Sequence, residues 1–281
     1  MATEVAGYRT PVRPIVSRTR VVWAAETFVG VLFFIFLLQL LLGFNILDSR
    51  LWAIYSPAFV RGIWGTLWFT ALILPLSVAV GFVLGWARIS RFRSLAWPVA
   101  IYVDFFRGVP PIVIAIFAFL IGPSLLPQRF QSGTLGITVA AIALALHSAA
   151  YQAEIFRAGF QSVPRGQLEA AQALGMTPWQ AIRHVVLPQA LRLSLPPLGN
   201  EFAVVIKDTS LLAAIGARDL FGLALDAQQN LALTPGSDLR WFLILWTAVA
   251  IVYFIMTTAV TQLLLFLEHK FHVRGIEAIS I

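Results

Sequence analysis

Residues 157–192 read RAGFQSVPRGQLEAAQALGMTPWQAIRHVVLPQALR. They decide the fold because they separate two apolar stretches and are themselves too interrupted to cross a membrane. Helix-stop and helix-start signals cut them into two short helices. The first runs from Pro164 to Leu174 and is stopped by Gly175; the second runs from Pro178 to Leu187 and is stopped by Pro188. Thr177 is the N-cap of the second helix, Pro178 suits its first position, and Gln180 completes a capping box. Trp179, Ile182 and Val186 then fall on one apolar face. Each helix must lie along the membrane surface or dock onto another protein.

Outward from this loop the chain is apolar. Of its 281 residues 59% are hydrophobic and 12% are charged, with a mean hydropathy of +0.84. Soluble domains carry roughly a quarter charged residues, so most of this surface faces lipid. A spanning helix needs about 20 mainly apolar residues, and six stretches meet or approach that: A (Val21–Gly43), B (Gly62–Ala87), C (Leu95–Ile121), D (Leu135–Phe156), E (Leu195–Ala214) and F (Trp241–Leu267). Stretch A is too long for a signal peptide and no small-residue cleavage site follows it, so it reads as an anchor. The expected fold class is an all-α integral membrane protein with six transmembrane helices.

The chain has 20 Lys and Arg against 13 Asp and Glu, a formal charge of +7. In a soluble chain that balance would point to nucleic acid; here it orients the chain in the bilayer. With the N-terminus cytoplasmic and six alternating spans, fourteen basic residues fall inside: Arg9, Arg13, Arg18, Arg20, Arg88, Arg91, Arg93, Arg107, Arg157, Arg165, Arg183, Arg192, Lys270 and Arg274. Five fall outside: Arg50, Arg61, Arg129, Arg218 and Arg240. Lys207 lies within a span, and both termini are therefore expected to be cytoplasmic. With no cysteine, the chain can hold neither disulfides nor thiolate metal sites.

Ionisable residues inside spans are costly and mark functional candidates. Stretch E carries Asn200, Glu201, Lys207 and Asp208, with Glu201 and Asp208 sharing one face and Asn200 and Lys207 the next. Counted from Pro196-Pro197 in the first turn, Lys207 is about 15 Å along the axis, near mid-depth. Stretch D carries His147, Tyr151 and Glu154 on one stripe, with Ser148 beside it. In C, Asp104 and Arg107 are spaced to pair, and Pro110-Pro111 then break the helix. Apart from Ser148, these nine polar residues, Asn200, Glu201, Lys207, Asp208, His147, Tyr151, Glu154, Asp104 and Arg107, are the substrate-pathway candidates.

The loop resembles a known family on several residues: Glu169-Ala170-Ala171, Gly175, then Val185 and Leu187-Pro188. This pattern is similar to the EAA loop of permease subunits of ATP-binding-cassette importers, with Val185 where Ile is usual. The flanking runs Ala150–Arg157, Leu187–Arg192, Leu198–Phe202 and Lys207–Leu211 resemble the polar amino acid uptake subfamily. The resemblance implies that Glu169, Ala170, Ala171, Gly175, Leu187 and Pro188 form a coupling element for separate ATPase subunits. It also implies a second permease chain, identical or similar, an external substrate-binding protein, an amino acid substrate and a prokaryotic inner membrane. ATP and magnesium would be bound by the ATPase and no cofactor by this chain.

Permeases of that subfamily commonly have five spans, so stretch A reads as an addition. The implied organisation is a cytoplasmic basic tail over 1–20, an extra helix and external loop over 21–60, a permease core over 61–271 with its coupling loop at 157–192, and a cytoplasmic tail over 272–281. The chain has no G-x-x-x-x-G-K-[ST] loop and so is not the ATPase itself; it shows no H-E-x-x-H or G-x-S-x-G motif of a membrane-embedded enzyme. The alternative reading is a stand-alone secondary transporter or channel for small polar solutes, but that class gives no reason for a two-helix loop.

Overall fold

The computed structural model describes residues 15–90, 92–125, 127, 134–234 and 237–270. Arg9, Arg13, Arg91, Arg129, Arg274 and the two expected terminal tails beyond residues 15 and 270 lie outside the described residues. In chain order the long helices are α1 (Ile15–Leu42), α2 (Ser49–Arg88), α3 (Arg93–Gly108), α4 (Pro111–Ile121) and α5 (Leu135–Gln161). Two short helices follow, α6 (Arg165–Ala173) and α7 (Pro178–Ala181), then α8 (Leu187–Asp208), α9 (Leu220–Leu233) and α10 (Leu239–Lys270).

Among the described residues four helices are long and apolar enough to cross a membrane: α1, α2, α5 and α10. A fifth span results if α3 and α4, bent by 103° at their junction, count as one. The bend sits at Val109-Pro110, because a proline followed by a second cannot continue the i→i−4 ladder. The chain is thus an all-α, multi-pass membrane protein. The sixth expected span, E, is not in this set: α8 carries Arg192, Glu201, Lys207 and Asp208 and gives way at Thr209–Ile215 to a 3₁₀ segment closed by Gly216 at φ +84.

Two further boundaries differ from the sequence reading. Pro188 does not stop the second loop helix; residues Ile182–Val186 widen into a π turn in which Leu187 N–H donates to Ile182 O, and α8 continues from there. A π turn absorbs the N–H that Pro188 lacks. Consequently Lys207 lies in the last turn of α8, twenty residues beyond its start, with Pro196 and Pro197 inside the helix. The other difference is α9, which falls in what the sequence presents as a connector between E and F.

Packing is organised around α5, which buries fourteen residues from Gly136 to Phe160, whereas the described side chains of α1 are exposed or half-buried, so α5 is central and α1 peripheral. Lipid tails give helices no hydrophobic reason to associate, so close approach depends on small side chains. The alanines of α5 meet the buried α2 residues Ile73, Gly81 and Gly85, with Ala140 and Ala141 at Ile73, Ala149 at Gly81 and Ala153 at Gly85. A Cβ at Gly81 would come within 2.8 Å of Gln152 Cβ, and one at Gly85 within 2.7 Å of Ala153 O. At the other end of α2, a Cβ on Gly62 would stand 2.8 Å from Leu220 Cα, so the start of α9 rests directly on α2 backbone. Leu220 N–H donates to Thr66 Oγ1 at 3.0 Å, and Asp219 caps α9 while accepting from Tyr253 of α10.

Candidate functional site

The loop of residues 157–192 has a defined shape for local reasons. α6 ends in a Schellman arrangement: Gly175 takes φ +85, its N–H donates to Gln172 O at 2.9 Å, and Met176 N–H donates to Ala171 O at 3.1 Å. Two residues on, Thr177 accepts from Gln180 N–H and its own N–H donates to Gln180 Oε1 at 2.9 Å, the reciprocal capping box. Glu169, Ala170 and Gly175 are exposed, whereas Ala171 is buried and Leu187 and Pro188 are half-buried at the π turn. Leu174 is 83% exposed beside Gly175, and the sequence reading had not singled it out. Its apolar side chain follows the last turn of a polar helix, which is the signal that would have found it.

Behind this exposed edge the loop is tied to the bundle by aromatic rings. Trp179 of α7 meets Trp86 of α2 edge to face, and Trp86 meets Phe160 of α5 at 5.1 Å. Phe82 and Phe156 complete the stack at 5.4 Å. Edge-to-face pairs of this kind contribute about 0.5–1.5 kcal/mol each beyond area burial. Gly159 lets α5 cross α8 closely, since a Cβ there would lie 2.8 Å from Ala190 O.

A charge cluster lies at the same end. Glu154 takes Arg88 of α2 on Oε1 at 3.0 Å and Arg157 on Oε2 at 2.7 Å. Arg157 also donates to Gln161 in the last turn of α5. Asp104 of α3 faces Arg88 at 4.0 Å rather than Arg107, as the i, i+3 spacing had suggested. Arg107 instead lies over the Tyr151 ring, 5.4 Å from its centroid, and the Tyr151 hydroxyl donates to Arg107 O at 3.4 Å. Pairing across helices has displaced pairing along one.

Of the remaining pathway candidates, Glu201 lies where α2, α5 and α8 meet. Ser148 Oγ donates to Glu201 Oε1 at 3.0 Å, and the Gln152 amide donates to Ser148 Oγ and to Ser77 Oγ at 3.0 and 2.9 Å. Gln152 is fully buried, and its Oε1 has no hydrogen-bond partner among the described residues. Ser77 and Gln152 were not among the expected site residues, because a lone serine or glutamine in an apolar stretch carries no periodic signal. His147 is buried beside Tyr151, ring centroids 5.3 Å apart, and Tyr102 donates to Leu146 O close by. Asn200 and Lys207 are exposed and Asp208 is half-buried, with Lys207 and Asp208 on the closing turn of α8. The candidates thus do not form one site: Glu201 meets Ser148 between α5 and α8, Arg107, Tyr151 and His147 lie together on α3 and α5, Glu154 and Asp104 share Arg88, and Asn200, Lys207 and Asp208 lie along α8.

Residues 77–273 match the family described as the binding-protein-dependent transport system inner membrane component. The probable amino-acid permease protein YxeN of Bacillus subtilis is 34% identical over 213 residues, 76% of this chain and 91% of the relative. The glutamine transport system permease protein GlnP of Escherichia coli is 34% identical over 215 residues, 76% of this chain and 93% of the relative. Among solved structures, an amino acid ABC transporter crystallised with histidines superposes with a TM-score of 0.65 and 32% identity, covering 77% of this chain and 95% of that one. The MetNI methionine ABC transporter shares the fold, with a TM-score of 0.57 at 21% identity over 75% of this chain and 96% of that one. With more than two thirds of its length inside the family match, the chain belongs to the binding-protein-dependent inner membrane components, the non-catalytic permease subunits of ATP-binding-cassette importers.

Proposed function

We propose that this permease carries a polar or charged amino acid across the membrane together with a second permease chain, and that ATPase subunits drive it through residues 157–192. The amino acid class is supported by the relatives, which include a glutamine permease and a glutamate/aspartate import permease. An external binding protein would deliver the substrate. The observation that carries the coupling assignment is the loop's two-sided construction. Glu169, Ala170, Leu174 and Gly175 stand out from the bundle, as does most of Trp179, while Val186 and Leu187, packed against Phe156 and Phe160, and the Gly159 crossing hold the same segment to α5 and α8.

In this reading α8 completes six spans, both termini are cytoplasmic, and α1 is an addition to a five-span core over 61–271. The path lies along the seam of Arg107, His147, Tyr151, Asn200, Glu201, Lys207 and Asp208, which offers both charge signs to a zwitterion. Glu154 ties α2 to α5 through Arg88 and is also held by Arg157, and Asp104 lies at the rim of the same cluster.

Gly175→Val tests the coupling role. A β-branched residue at φ +85 is strained, so the αL stop fails while the spans still insert. The expected result is a membrane-inserted chain that no longer recruits its ATPase or no longer transports. Normal recruitment with normal transport would sink the assignment.

A further inference from the structure

A line of hydrogen bonds crosses from α2 through α5 to α8. Gln152 of α5 lies between Ser77 of α2 and Ser148, one turn before it on α5, and its amide nitrogen donates to the two hydroxyls at 2.9 and 3.0 Å. Ser148 Oγ donates in turn to Glu201 Oε1 of α8 at 3.0 Å, and Ser77 Oγ donates to Leu74 O at 2.9 Å. Ser77, Ser148 and Gln152 are buried, whereas Glu201 is half-buried. Among the described residues Ser148 is the one hydrogen-bond donor to the Glu201 carboxylate.

With Glu201 ionised, as its place in the path requires, the direction of this line is forced. A carboxylate accepts and cannot donate, and a serine hydroxyl has a single proton. Ser148 commits its proton to Glu201 and Ser77 commits its own to Leu74 O, so each hydroxyl can only accept from Gln152. Turning the amide would set Oε1 against two oxygens with no proton left for it. The amide therefore keeps both hydrogens on the serines, and Gln152 Oε1 stays without a partner among the described residues although the side chain is fully buried. An unpaired buried acceptor is costly. A residue that merely tied α2 to α5 could present either end of its amide to the two serines; the charge on Glu201 removes that choice.

We infer that Gln152 is a positioning residue for transport: held by Ser77, it fixes the Ser148 proton on Glu201 Oε1 and so keeps the carboxylate aimed, with Oε2 free for the ammonium group of the amino acid. The inference rests on the reading that the path passes Glu201. Gln152 itself is fully buried and touches no substrate. Donation from the amide polarises the Ser148 hydroxyl and makes it a better donor to Glu201. A glutamate side chain fixed in advance has less freedom to lose when substrate arrives.

Packing holds the amide where the hydrogen bonds need it. Gly81 follows Ser77 by one turn of α2, and a Cβ there would stand 2.8 Å from Gln152 Cβ and 3.0 Å from Ala149 O. The amide cannot swing away from its serines without the two backbones parting. Side-chain chemistry is equally selective. Glutamate, of the same shape, has no hydrogen to give when ionised, and methionine, of similar length, has none at all.

The test uses the intact importer with its ATPase, second permease chain and binding protein, reconstituted in proteoliposomes and offered an equimolar mixture of the common amino acids. Amino acid accumulated is counted against phosphate released. Gln152→Met should lower the amino acid moved per ATP about fivefold, the effect of about one lost hydrogen bond, with assembly and ATP hydrolysis retained. Ser148→Ala should give a similar loss, and it decides the matter if the first variant fails to assemble. Glu201→Gln should lower the ratio at least as far, and Gln152→Met added to it should lower it no further, since nothing is left to position. A merely structural residue would lose as much in either background. A wild type that accumulates no amino acid, or an unaltered ratio in Glu201→Gln, would end the reading of the path on which the inference rests. With those two satisfied, an unaltered ratio in both Gln152→Met and Ser148→Ala, a second full loss in the double variant, or failure of both single variants to assemble overturns the inference itself.

Discussion

Trp179 of α7 stands edge-on to Trp86 of α2, ring centroids 6.4 Å apart, so the short helix that follows the Gly175 stop rests one face of an otherwise exposed ring against the longest helix of the bundle. Trp86 is in turn packed on Phe160 and Phe82, which places it at the centre of the stack.

Trp86→Ala should therefore loosen the loop without unfolding the chain. Loss of a half-buried tryptophan costs about 2–3 kcal/mol, below the range for a fully buried one. The expected readout is fewer substrate molecules moved per ATP hydrolysed in proteoliposomes, with the ATPase still attached. An unchanged ratio would show that the ring contact transmits nothing.

Glu154→Gln removes the carboxylate shared by Arg88 and Arg157. Because all three side chains are partly exposed, the cost should be about 1–2 kcal/mol rather than that of a wholly buried pair. Thermal unfolding in detergent should shift down, and Arg88→Gln combined with Glu154→Gln should lose less than the two single effects added. Strict additivity would mean that the two groups do not interact.

Gly81→Leu should be among the most damaging single changes, because the new side chain meets Gln152 Cβ and Ala149 O on α5. Overpacking of this kind costs about 3 kcal/mol. Gly166→Ala, exposed in α6 with open space around it, serves as the contrast and should be neutral or gain about 0.5–1 kcal/mol. Equal amounts of assembled protein for Gly81→Leu and wild type would contradict the close crossing.

Lys207→Met keeps length and removes charge at the closing turn of α8. If the ammonium meets substrate, transport should fall about ten- to hundredfold, from about 1.5–3 kcal/mol of lost charge-assisted hydrogen bonding. Assembly and ATP hydrolysis should persist. Loss of assembly instead would make Lys207 a structural residue and take it out of the path.

The orientation is open to direct labelling, since the chain has no native cysteine. Ser49→Cys and Ser237→Cys should react with an impermeant reagent outside sealed cells, and Ser162→Cys should react only after permeabilisation. The reverse pattern would invert the topology.

What could be read from the sequence divides by the distance over which each feature is determined. The Gly175 stop and the Thr177–Gln180 capping box depend on neighbours within a few residues and were legible. The first four apolar stretches and F were legible from composition, although α2 begins at Ser49, well before stretch B, because Arg50, Pro57 and Arg61 interrupt its apolar pattern without breaking the helix. Pro188 misled because a π turn is a rare way to pass a proline. α9 was missed because Asp226, Gln228 and Gln229 make a short helix look like a connector. The partner of Asp104 lies on another helix, and Ser77 meets Gln152 across 75 positions of sequence, so neither contact leaves a local trace.

The forty residues of α2 make a rod of about 60 Å, twice the roughly 30 Å of hydrocarbon in a bilayer, and even a 40° tilt leaves it spanning about 46 Å. Its two fastened points, Trp86 and Gly62, are then about 36 Å apart along the axis. Rocking the rod by about 5° about Trp86 sweeps Gly62 through about 3 Å. Pro75 lies between the two points and is where the rod can flex, but the backbone of α9 leaves no slack at Gly62, so whatever swing passes Pro75 reaches the start of α9.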